Sequence, residues 1–166
     1  MSVLTNRRPS GPKQLKDLAQ FKTFMTDAPG AHFYVVLLGL HKFEWAELMQ
    51  IVARGFTYDT LEHLQRNTGL SIDSLLEWLQ ISERTLTRRK QQGRFLPEES
   101  DRLLRASRVF GRALELFEGD RDAASEWMLS PKPALGGETP IDVARTDLGS
   151  REVENLVGRV EHGVYS

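Results

Sequence analysis

The 166-residue chain has no cysteine. That removes disulfides, thiolate metal sites and a cysteine nucleophile, and it fits a reducing cytoplasm. Long apolar runs are missing as well: the longest, residues 33–40, falls far short of the roughly 20 residues that a membrane-spanning helix needs. A cytoplasmic protein with no membrane partner is expected. Residues 1–13 are polar, carry Arg7, Arg8, Pro9, Gly11 and Pro12, and lack an apolar core of signal-peptide length, so residues 1–14 read as a flexible arm. The four histidines, His32, His41, His63 and His162, show no metal-ligand spacing. Gly136-Gly137 is followed by Glu138-Thr139, with neither the lysine nor the strand of a phosphate-binding loop. Glu98-Glu99 is explained by the dipole at a helix start. No catalytic residue, metal or cofactor is expected, and an enzyme has nothing here to rest on.

What is present is an ordinary globular composition, 40% hydrophobic and 27% charged, with its charge segregated along the chain. The net charge is −1. Yet residues 84–112 hold nine bases (Arg84, Arg88, Arg89, Lys90, Arg94, Arg102, Arg105, Arg108, Arg112) against Glu98, Glu99 and Asp101. The basic segment therefore carries about +6 and the remainder about −7.

The apolar pattern is helical almost throughout. Leu15, Leu18, Ala19, Lys22 and Met25 share a face that stops at Asp27-Ala28-Pro29-Gly30, a first helix. Residues 33–40 fit either a short buried strand or part of a helix, because a continuous apolar run has no readable period. Trp45, Leu48, Met49 and Val52 give a helix over 44–54 closed by Gly55. Thr57 or Asp59 caps the next, which carries Leu61 and Leu64 and ends at Gly69. Ser71 starts a helix with Leu75, Leu76 and Leu79 on one face, and Ser82 starts another that Gly93 closes. Two short helices joined by about three residues have helix-turn-helix spacing, although the turn at Gln80-Ile81 lacks the usual glycine. Pro97, Glu98 and Glu99 open the longest helix, running to about Phe117. Asp120 caps a helix through Leu129. Thr139-Pro140-Ile141-Asp142 is a second strong helix start, and Val153, Leu156, Val157 and Val160 mark a last amphipathic helix. Trp45, Trp78 and Trp127 all fall in amphipathic helices and read as core. The fold class is all-α: a helical module over 15–118 with a helix-turn-helix near 71–93, then a smaller helical domain over 119–166.

On a helical wheel, Arg88 and Gln91 lie within about 40° of Arg84 and Thr87 within about 60°, while Leu86 points away toward Leu75 and Leu79. Such a face suits a major groove, where arginine pairs with guanine and glutamine with adenine, and Arg84, Thr85 and Arg88 are best placed for base edges. Arg102, Arg105, Arg108 and Arg112 form an arc of about 120° on the following helix, opposite Leu103, Ala106, Phe110, Ala113 and Phe117, and suit phosphates. The expected DNA site is Arg84, Thr85, Thr87, Arg88, Arg89, Gln91, Arg94, Arg102 and Arg105.

The run Arg84-Thr85-Leu86-Thr87-Arg88-Arg89-Lys90, continued by Gly93-Arg94-Phe95-Leu96 and Glu99-Ser100-Asp101-Arg102-Leu103, resembles the helix-turn-helix of the Xre/MbcA/ParS antitoxins. The resemblance extends over 55–166 through Ala124-Ser125-Glu126-Trp127-Met128, Leu135-Gly136-Gly137-Glu138-Thr139-Pro140 and the closing Gly163-Val164-Tyr165. It implies a homodimer that represses its operon by binding operator DNA, and a C-terminal domain that neutralises a RES-domain, NAD-consuming toxin. It also implies toxin contacts at Arg159, His162, Gly163, Val164, Tyr165 and Ser166. The 135–140 box has its own structural account as a glycine turn, a cap and a helix start. A second reading is a stand-alone dimeric repressor whose C-terminal domain dimerises or senses a ligand.

Overall fold

In the computed structural model, residues 33–41 and 44–163 are described. The expected arm, the helix around Leu15 and Met25, and the tail residues Val164, Tyr165 and Ser166 lie outside them. Among the described residues eight α-helices follow one another: α1 Trp45–Arg54, α2 Asp59–Thr68, α3 Ile72–Leu79, α4 Glu83–Gln92, α5 Pro97–Leu116, α6 Arg121–Leu129, α7 Pro140–Val143 and α8 Asp147–Glu161. No strand occurs among the described residues, and no helix among them is long and apolar enough to cross a membrane.

The long α5 is the spine, because Leu103, Ala106, Val109, Phe110, Ala113 and Leu114 present a continuous buried stripe along it. The apolar run before α1 is neither strand nor α-helix. It forms a 3-10 helix, Phe33–Leu38, packed on α2 and α5 with Val35, Val36, Leu37 and Leu38 buried. Buried backbone needs partners, and Asn67 Nδ2 donates to the Leu37 carbonyl at 2.9 Å.

Local chemistry sets the helix-turn-helix. Ser71 and Ser82 accept from the backbone N–H of Ser74 and Thr85, which satisfies orphan donors at each N-terminus. Neither Thr57 nor Asp59 caps α2, however. Tyr58 holds the cap position without a side-chain bond, and Thr57 spends its hydroxyl on the Asp59 carboxylate. Between α3 and α4 the glycine position is filled by Gln80 in the left-handed region, φ 53° and ψ 45°. A β-carbon there costs on the order of 1 kcal/mol. Gln80→Gly is therefore expected to stabilise the fold by about 0.5 kcal/mol after its own entropic cost, read as a higher urea midpoint; an unchanged or lower midpoint would refute it.

The N-terminal face of α1 departs from its pattern. Leu48 is buried, but Trp45 is 65% and Met49 51% exposed, so Trp45 is not core. Trp78 is core, and its indole Nε1 donates to the Ala144 carbonyl at 3.2 Å. Ser150 Oγ donates to the same oxygen at 2.9 Å. Trp127 is half-buried, with the Lys132 ammonium 5.1 Å from its ring centre.

Candidate nucleic-acid and partner interfaces

The sequence of α4 alternates what it gives to the fold and what it leaves to solvent. Leu86 packs on the core. On the opposite side Arg84, Arg88 and Gln91 are exposed, and none of the three has an ion pair or side-chain hydrogen bond among the described residues. Lys90 is exposed as well, about 100° or more around the helix from that stripe. Thr85 accepts from Ser82 Oγ at 3.0 Å and Thr87 donates to the Glu83 carbonyl at 3.0 Å, so both hydroxyls are tied to the helix start.

Three of the expected DNA contacts are committed inward. Arg89 is 5% exposed and clasps Glu99 with two bonds, Nε to Oε2 at 2.7 Å and Nη2 to Oε1 at 2.8 Å, while Nη1 reaches Gln92 Oε1 at 3.0 Å. One residue apart, Arg88 and Arg89 differ by about 100° around the helix, which separates an exposed side chain from a buried one. Glu99 also accepts from the Leu96 N–H at 2.9 Å. Burial pushes its carboxyl up, but the Arg89 hydrogen bonds, the Leu96 amide and the charges of Arg89 and Arg102 outweigh it and hold the pKa below the ordinary glutamate value. Glu99 is thus an ion-pair partner rather than a mere dipole residue. Arg102 Nη1 donates to the Leu79 and Gln80 carbonyls at 2.9 and 3.0 Å, closing the free end of α3. Arg94 Nη1 donates to the Gly55 carbonyl at 2.5 Å. Arg105 lies 3.9 Å from Asp101 on its own helix.

The rest of the arginine arc faces α8. Arg108 pairs with Glu154 at 2.6 Å, and Arg112 bridges Glu115 and Glu161. Burial opposes the Arg112 charge, and the two carboxylates prevail and raise its pKa. Arg108 and Arg112 thus form a seam between α5 and the last helix. Only the side chains returned from α8 reveal this, and no sequence period encodes them.

Beside that seam opens a cleft of about 610 Å³ lined by Arg112, Glu154, Asn155, Gly158, Arg159 and His162. Two expected partner contacts, Arg159 and His162, meet there. Arg159 Nη2 reaches Glu152 Oε1 at 3.3 Å, and its Nε is buried with no hydrogen-bond partner. His162 ends α8 and Gly163 follows at φ 66°, which turns the chain off the helix axis. The glycine box is a built turn. Gly136 and Gly137 have φ of 68° and 85° with open space around them, Thr139 caps α7 and Pro140 starts it. Among the described residues no group of His, Cys, Asp and Glu could hold a metal ion.

The comparisons follow this geometry. Residues 47–108 match the Antitoxin Xre-like helix-turn-helix domain, and residues 112–163 match the Antitoxin Xre/MbcA/ParS C-terminal toxin-binding domain. "Antitoxin Xre" of Yersinia enterocolitica is 37% identical over 130 residues, 78% of this chain and 88% of that protein. "Antitoxin Xre" of Photorhabdus laumondii is 35% identical over 72% of this chain and 81% of its own length. The "Prs ADP-ribosylating antitoxin" of Sphingobium is 27% identical over 59% of this chain and 69% of its own length. These matches show that the chain belongs to the Xre/MbcA/ParS antitoxin family, with an Xre-like helix-turn-helix domain followed by a toxin-binding domain.

Proposed function

We propose that this antitoxin acts as a cytoplasmic, non-catalytic homodimer that represses its own operon through α4 and neutralises a RES-domain, NAD-consuming toxin by direct binding. The observation that carries the DNA half is the outward Arg84, Arg88 and Gln91 stripe, three long polar side chains left without partners on the second helix of a helix-turn-helix. Thr85 and Thr87 line its edge. Arg89, Arg94, Arg102 and Arg105 support it from behind or beside rather than read it. For the toxin half, Arg159 and His162 flank the cleft from which Gly163 leads into Val164, Tyr165 and Ser166. The Sphingobium relative's name is in keeping with such a partner, since ADP-ribosylation draws on NAD.

One experiment separates the two faces. Operator binding and protection of cells from the co-expressed toxin are measured for Arg88→Ala and for a chain truncated after His162. Arg88→Ala is expected to lose about ten- to a hundredfold in discrimination between operator and random DNA while still protecting cells. The truncated chain is expected to bind operator normally and to lose protection. Equal loss of both activities in either variant would sink the two-face assignment.

A further inference from the structure

The last helix, α8, has three faces, and only two of them serve the fold. With Leu148 as zero on the wheel, the buried Leu156, Val153 and Val157 lie between about 80° and 180°. Glu154 and Glu161, which pair with the arginines of α5, lie near 220–240°. Leu148, Arg151, Glu152, Asn155, Arg159 and His162 fall together in an arc of about 100° on the remaining side. They form a ridge about 21 Å long, outside both the core and the seam, and it ends where Gly163 turns the chain off the helix axis.

Leu148 opens the ridge at 80% exposure, the most exposed large apolar side chain among the described residues. Thr146 caps the helix, so Leu148 is its second residue and falls outside the staple that packs an apolar side chain at a helix start. Its backbone is nonetheless fixed. The Gly149 N–H donates to Thr146 Oγ1 at 2.9 Å, and Gly149 is closed against the Val143 carbonyl. An apolar knob on a fixed backbone enters a pocket at low entropic cost. The charges of the ridge bring their own partners: Arg151 pairs with Asp147 at 3.1 Å and Arg159 with Glu152 at 3.3 Å. A covering surface therefore need supply no counter-charge, and it leaves none stranded. Asn155 and His162 are exposed and have no side-chain partner among the described residues, so a carboxamide and an imidazole are available for hydrogen bonds. This combination fits a protein with an apolar socket and few charges of its own. It does not fit a polyanion.

We propose that the toxin seats on this outer face of α8 with Leu148 in an apolar socket, a proposal that rests on the toxin-binding reading above and extends its surface away from the tail. Residues 112–163, which match the toxin-binding domain, contain the whole ridge. The ridge is also continuous with the cleft at which Arg159 and His162 meet. The toxin is then held at two places about 21 Å apart, by Leu148 at one end and by the chain around His162 at the other. Salt separates this face from the DNA face. Ion pairs closed within the antitoxin release few counterions when covered, so toxin affinity changes little with salt while operator affinity falls steeply.

The test is titration calorimetry of the full chain with the purified toxin of its operon, with melting temperature and operator binding recorded for each variant. Leu148→Asp is expected to weaken toxin binding at least about tenfold. Its melting temperature and operator affinity are expected to stay unchanged, because the leucine is mostly in solvent and an acid suits the first turn of a helix. Met49→Asp, a like change at an exposed site on α1, is the control and is expected to bind toxin normally. Raising salt from about 0.1 M to about 0.5 M is expected to change wild-type toxin affinity less than about threefold. Toxin binding indifferent to Leu148→Asp overturns this surface and leaves the toxin reading standing. A lower melting temperature for Leu148→Asp, or loss of operator binding with toxin binding kept, places the leucine against the chain's own residues or a second copy and overturns it as well. A steep salt dependence overturns the self-paired ridge. A wild type that binds no toxin overturns the surface and the toxin reading together.

Discussion

Glu99→Ala is expected to lower the stability of the fold by about 3–5 kcal/mol, the usual cost of stranding one member of a buried ion pair. Both side chains are 6% exposed, and the guanidinium that remains would keep only the Gln92 contact. The Leu96 N–H at the start of α5 would lose its acceptor as well. The cost comes from desolvation without compensation, so the double variant Arg89→Met with Glu99→Leu is expected to recover most of it. The pH dependence has a definite sign. A carboxyl whose folded pKa lies below its unfolded value stabilises the fold above the ordinary glutamate range, and that stability is lost as pH falls through the folded value. Glu115 works the other way: burial dominates and raises its pKa despite Arg112, so its contribution is lost as pH rises. Urea titrations at neutral and acid pH should show the wild type losing a Glu99-dependent share of stability on acidification that Glu99→Ala lacks. A loss below about 1 kcal/mol at neutral pH would mean that water has replaced the partner.

Gly149→Ala is expected to cost about 3 kcal/mol, the upper end of overpacking penalties, for a single added methyl. A β-carbon at Gly149 would stand 1.7 Å from the Val143 carbonyl oxygen and 3.0 Å from Thr146 Oγ1. The first is backbone and cannot swing aside. The same N–H donates to Thr146 Oγ1 at 2.9 Å, so relief of the clash would break the cap of α8. Gly158→Ala, on the same helix, is the control: nothing lies within 4 Å of the added carbon, and replacing an interior helical glycine is expected to stabilise by about 0.5–1 kcal/mol. Thermal melts of the two variants should therefore move in opposite directions. Two melts moving the same way would show that the approach at Gly149 is relieved by a small backbone shift.

The caps were legible because capping is local. Ser71, Ser82, Asp120 and Thr139 each accept from an amide three residues on, within the reach of a sequence window. Thr57 and Asp59 misled because they satisfy each other instead. The outward stripe of Arg84, Arg88 and Gln91 also followed from the 3.6-residue period and the one anchor at Leu86. What could not be read was the destination of the other arginines, since Glu99, Glu154 and the carbonyls of Leu79 and Gln80 return to them from 10 to 46 residues away. The run before α1 lacks any period, which is why its 3-10 form was open. Trp45 shows the opposite failure: it has the spacing of a core residue, yet Leu48 is the buried side chain of α1, with Ile51 and Val52 packed partly buried against the core.

The Ala144 carbonyl, which takes hydrogen bonds from Trp78 and Ser150, bears on how such proteins can diverge. The two family matches meet between residues 108 and 112, in the middle of α5, where no loop offers a clean joint. A chimera grafted there would inherit its helix-turn-helix from one parent and the acceptor for Trp78 from the other, and the Arg108 and Glu154 partners would likewise come from different lineages. A graft that keeps both halves stable has to carry both members of each contact across the seam, Trp78 with its acceptor and Arg108 with Glu154.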